Sequence, residues 1–108
     1  MDIELARLAL KRIETDPSRW DQRTYRCGTQ CCFAGHVALA AGATWVLEEE
    51  GTWDTGVITS DGECLDVRDY AIRVLGVSFE QARRLFHVWN TLGDLRRLID
   101  SYAAQPEQ

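Results

Sequence analysis

Long hydrophobic runs are missing from this chain of 108 residues. No apolar stretch approaches the roughly 20 residues that cross a bilayer, which excludes a membrane-spanning helix. Lysine is nearly missing as well: Lys11 stands alone among the 12 basic residues, and the rest are arginine. That bias points to a GC-rich genome rather than to a demand for bidentate donors. Positive charge is in short supply, with a formal net charge of -5, and this excludes a general nucleic-acid coating protein. Paired C-x-x-C knuckles, internal repeats and low-complexity segments are also missing. The start, Met1-Asp2-Ile3-Glu4, lacks the basic opening and small-residue cleavage site of a signal peptide. The expectation is a cytoplasmic chain in a reducing setting, where Cys27, Cys31, Cys32 and Cys64 remain thiols or bind metal instead of pairing.

What is present is ordinary globular material, 45% hydrophobic and 27% charged, enough for a single domain over residues 1–108 with one core. The charge is uneven. Between residues 48 and 69, eight carboxylates (Glu48, Glu49, Glu50, Asp54, Asp61, Glu63, Asp66 and Asp69) face Arg68 alone. The flanking segments carry a slight positive excess.

Local signals predict five helices. Asp2 caps a first helix over 3–15, with Ile3, Ala6, Leu10 and Ile13 on one face, and Pro17 stops it. Thr29 is the predicted cap of a second helix over 30–41, apolar nearly all round, with Gly42 as its stop. Asp66 with Asp69 opens a third over 67–75 that ends at Gly76. Ser78 with Gln81 forms a capping box for 79–89, with Val77 stapled onto Ala82, and Thr91 with Asp94 opens 92–104. The acidic middle resists a helical pattern. Thr44–Leu47 and Gly56–Thr59 look like short strands, and Asp61-Gly62 marks a turn before Cys64-Leu65. The predicted architecture is mainly α, a compact bundle of five helices with a small β-hairpin inserted after the second.

The chemistry-bearing residues gather between Cys27 and Gly42. Cys27, Cys31, Cys32, His36 and Cys64 hold enough soft ligands for a tetrahedral zinc site, and Cys32 and His36 stand at i and i+4. The bland alternative is that these cysteines are small buried hydrophobes. Cys31 and Cys32 would fall in the first turn of the second helix, where the dipole favours a thiolate and His36 could serve as base. His87 beside Phe86 and Trp89 reads as a core or groove histidine. The run from Ile72 to Leu85 resembles a helix-turn-helix, for which only Arg73, Arg83, Arg84, Arg96 and Arg97 supply cations. A plain αα-hairpin needs the same turn and capping residues. The Asp54–Asp66 region lacks the alternating ligands of a calcium loop.

At Cys27-Gly28-Thr29, Cys32 and Ala34-Gly35-His36, following Trp20–Tyr25 and followed later by Leu75-Gly76-Val77-Ser78, Ala82, Leu85 and Phe86, the chain resembles a group of small actinobacterial and actinobacteriophage proteins. Their pattern is C-G-T-x-x-C-x-A-G with a later L-G-[LV]-[ST]-x-x-x-A-x-x-L-F, and it covers about half of the chain. The resemblance implies a compact helical fold and a phage or bacterial cytosolic setting. It implies no activity. Cys31 and Cys64 lie outside the pattern, so Cys27, Cys32 and His36 are weak metal candidates that lack a fourth ligand.

Taken together, these features predict a non-enzymatic phage or bacterial accessory protein without a cofactor, one that binds a host protein. Cys27, Gly28, Thr29, Cys32, Ala34 and Gly35 are then structural core, and Trp45, Glu48, Glu49, Glu50, Trp53 and Asp54 form the contact surface. The alternatives are a DNA-binding regulator built on the Gly76 turn and a zinc or thiol site protein.

Overall fold

Asp2 sets the register of the first helix: its carboxylate accepts the Leu5 N–H at 3.0 Å, and α1 runs Ile3–Thr15. In the computed structural model, residues 1–23, 31–46 and 56–104 are described. Ala6, Ala9, Leu10 and Ile13 of α1 face inward, the spacing of one helical face. A short 3-10 turn, Pro17–Arg19, follows. Then come α2 (Phe33–Ala40), β1 (Thr44–Trp45), β2 (Gly56–Ile58), β3 (Cys64–Asp66), α3 (Val67–Leu75), α4 (Phe79–Leu85) and α5 (Leu92–Ala103).

Helix α2 is the centre of the fold and packs against both α1 and α3. Every residue from Phe33 to Ala38 is buried. Its C-terminus closes as a Schellman motif. The Ala43 N–H reaches the Ala38 carbonyl and the Gly42 N–H the Leu39 carbonyl, with Gly42 at φ +96°. Only glycine adopts that backbone cheaply.

The predicted hairpin is a three-stranded antiparallel sheet in the order β1-β2-β3. Thr44 pairs with Ile58, Val57 with Leu65, and Ile58 with Cys64. Thr59 and Gly62 make the β2–β3 turn, and Gly62 takes φ +87°. Strand β3 runs straight into α3, because Asp66 is both its last residue and the cap on Arg68 N–H. The sheet and the adjoining helix ends share a small second cluster of Ala38, Ala43, Val57, Val67 and Tyr70.

The main cluster joins all five helices through Ile13, Phe33, Val37, Leu75, Leu85, Leu95 and Ile99, each almost fully buried. Each side chain of this size adds about 1.5–3 kcal/mol on burial. Phe33 and Phe86 meet in a tilted pair, 6.5 Å between ring centres and 44° between ring planes. Val77 and Ala82 both enter this cluster, as a staple requires. The capping boxes Ser78/Gln81 and Thr91/Asp94 are both present.

Two helix boundaries differ from expectation. Helix α2 begins at Phe33 with Cys32 in the cap position, so Cys31 and Cys32 precede its first turn; Thr29, the expected cap, lies outside the described residues. Helix α4 ends at Leu85, leaving His87, Val88 and Trp89 in a following turn. One side chain, distant in sequence, bonds the backbone at both boundaries.

Candidate functional site

That side chain is Gln22, only 5% exposed. Its Oε1 accepts the Phe33 N–H at 3.0 Å and the Trp20 Nε1–H at 3.1 Å. Its amide nitrogen donates to the carbonyls of Leu85 at 2.9 Å and His87 at 3.1 Å. Two acceptor lone pairs and two donors are thus all used. Gln22 satisfies the first amide of α2, where Cys32 provides no side-chain cap, and receives a carbonyl at the end of α4. Asn90 completes that end by donating to the carbonyls of Arg84 and Leu85.

Around this junction sit the sulfur and imidazole groups. Cys31 pairs with Trp20 in a short parallel bridge: its N–H donates to the Arg19 carbonyl and its carbonyl accepts the Asp21 N–H. Cys31 and Cys32 are both buried. Burial pushes the Cys32 thiol up, against the opposing pull of the Gly35 and Ala34 amides at the head of α2. The helix terminus therefore does not generate a thiolate, because desolvation of the anion outweighs it.

His36 is 2% exposed and bonds through Nε2 to the Arg19 carbonyl at 3.0 Å. A carbonyl only accepts, so Nε2 carries the proton and Nδ1 does not. Nδ1 is buried without a hydrogen-bond partner among the described residues. Burial holds the imidazole pKa below its ordinary value, against the raising effect of the Arg19 carbonyl, and the charges of Arg12 and Arg19 lower it further.

Cys32, Ala34 and Gly35 are buried on α2 or at its head. Cys27, Gly28 and Thr29 lie outside the described residues. Cys64 is exposed on β3. Among the described residues no three His, Cys, Asp or Glu side chains converge on a point that could hold a metal ion. Trp45 is half-buried against the second cluster. Glu48, Glu49, Glu50, Trp53 and Asp54 also lie outside the described residues.

The helix-turn-helix arginines are mostly engaged. Arg73 holds Glu63 at 3.0 Å, Arg84 holds Glu80 at 3.1 Å, Arg96 holds Glu14 at 2.6 Å, and Arg97 pairs with Asp94. Arg83 has no ion pair among the described residues. Gly76, at φ +66°, forms the turn between α3 and α4.

Large apolar side chains stand exposed at the start of α4 and past its end: Phe79 is 71% exposed and Trp89 76% exposed, and Val88 is also exposed. A cleft of about 480 Å³ is lined by Glu80, Arg83, Arg84, His87, Asn90 and Leu98. His87 faces solvent and accepts the Trp89 N–H on Nδ1 at 3.2 Å. The groove expectation for His87 holds, although it lies past the end of α4 and not on a helix.

Sequence reasoning missed Gln22 and this surface. Asn90 directly before the Thr91 cap was the available signal that α4 had already stopped. Nothing local marked Gln22. No protein family, curated protein or solved structure matches the chain.

Proposed function

We propose that this chain is a non-enzymatic binding protein that acts by docking a partner protein, in the bacterial or phage setting that the sequence resemblance implies. The observation that carries it is the exposure of Phe79 at the start of α4 and of Val88 and Trp89 after its end, on an element that also carries the exposed Arg83. Tryptophan, phenylalanine and arginine are the residue types enriched at the centres of protein interfaces. Phe79 and Trp89 are 71% and 76% exposed, apolar area that a bound partner would remove from water. The thiol and imidazole groups offer a weaker basis for catalysis: Cys32 and His36 are shut in the core and both are held in their neutral forms.

The test is capture from an actinobacterial lysate by immobilised wild type, Trp89→Ala, Phe79→Ser and a variant with Glu48–Glu50 and Trp53 replaced. Trp89→Ala and Phe79→Ser should lose one specific partner while keeping wild-type stability to within about 0.5 kcal/mol, as expected at exposed sites. Loss only in the acidic-segment variant would move the contact surface to residues 48–54. Equal retention by all variants would remove the proposal.

A further inference from the structure

The cleft between α4 and α5 has a chemistry that names its occupant, granted the binding function above. Its donors outnumber its acceptors. Arg83 holds no carboxylate among the described residues. Arg84 reaches Glu80 through one nitrogen, and a guanidinium carries five N–H donors in all. His87 accepts the Trp89 N–H on Nδ1, so its remaining nitrogen carries the proton and is a donor. The one acidic side chain among the described lining residues, Glu80, is already engaged by Arg84. Leu98 adds an apolar wall, and Val88 and Trp89 adjoin His87 in the chain.

We infer that this cleft takes a short acidic segment of a partner protein, with carboxylates on Arg83 and Arg84 and an apolar side chain against Leu98. Charge complementarity favours carboxylate over a neutral or basic segment: a lone guanidinium and a half-used one leave room for charge-assisted bonds. Duplex DNA fits less well. A phosphate track needs a run of cations, and Arg73, Arg96 and Arg97 already hold Glu63, Glu14 and Asp94.

The experiment follows backbone amide shifts of isotope-labelled full-length protein during titration with a blocked peptide of alternating glutamate and leucine. Parallel titrations use the glutamine–leucine counterpart and a duplex DNA. The glutamate peptide should shift amides between residues 80 and 98, weaken with added salt, and bind at least about tenfold more tightly than the glutamine peptide. Arg83→Gln should weaken it by about tenfold, the loss expected for one bond to a charged group. Equal binding of both peptides, shifts elsewhere, or no shifts would overturn the inference. So would DNA moving these amides while the peptide does not. Amide shifts in this cleft on raising protein concentration alone would assign it to a second copy instead, and would equally overturn it. Partner capture separates the two levels. If Trp89→Ala loses the captured protein and Arg83→Gln does not, docking stands and the acidic occupant falls. If neither variant loses it, docking through this surface falls as well.

Discussion

The junction around α2 and the outer edge of α4 use similar residues to opposite ends. At the junction, Trp20, Gln22, Cys31, Cys32 and His36 pack or bond with one another and with backbone, and Gln22 has no hydrogen-bonding capacity left over. At the edge, Arg83, His87, Val88 and Trp89 face water, and Arg83 has no carboxylate among the described residues. The difference teaches that residue type alone does not mark a site. A cysteine–histidine pair in a dry core is held neutral, whereas an ordinary arginine beside an exposed tryptophan can recruit a partner.

The largest effect expected from this contrast is kinetic. Cys64 is exposed and Cys31 and Cys32 are buried, so alkylation of the two buried thiols must wait for an opening reaction. With an open fraction of about one in a thousand or less, they should label at least about a thousandfold more slowly than Cys64 in native buffer, read by peptide mass spectrometry. Comparable rates would show that the junction is not closed.

Next is Gln22→Leu. Leucine keeps much of the bulk but strands the Phe33 amide and the His87 carbonyl, and leaves the Leu85 carbonyl to Asn90 alone. At about 1–3 kcal/mol for each buried group left unmade, the loss should reach about 3 kcal/mol in urea unfolding. A cost near zero would mean that α2 and α4 are held together by apolar packing alone.

A smaller and pH-dependent effect belongs to His36. Its folded pKa is depressed below the ordinary 6.5, so the unfolded chain takes up the proton first as pH falls. The His36 contribution is whole above about pH 6.5 and is lost progressively below it. Asp21, Asp61 and Asp94 have depressed pKa values relative to 3.8, so their contributions fade only at still lower pH. Stability measured from pH 7 to pH 5 should therefore decline in wild type and stay flatter in His36→Gln. An identical slope in both would show that the imidazole titrates as freely folded as unfolded.

Much of the fold was legible in the sequence because its signals act across a few residues. Asp2, Asp66, Ser78 with Gln81, and Thr91 with Asp94 each bond an amide two or three positions on. Gly42 and Gly76 end helices through their own backbone angles. The α1 stripe and the β2–β3 turn are equally local. The site was far less legible. Burial of Cys32 and His36 depends on α1 and α3 closing over α2, and the exposure of Trp89 depends on where α4 stops.

Sequence by itself determined the five helical segments, the turn at Asp61-Gly62 and the charge pattern, since each rests on propensity, capping or composition along a short stretch. Only the tertiary structure decided where α2 starts and α4 ends. At both limits one glutamine bonds backbone 11 and 63 positions away, a contact that exists only once the chain has folded back on itself. The same folding left Arg83 and Trp89 outside and sealed the thiols within, because a small core holds only the side chains that its neighbouring elements can jointly cover.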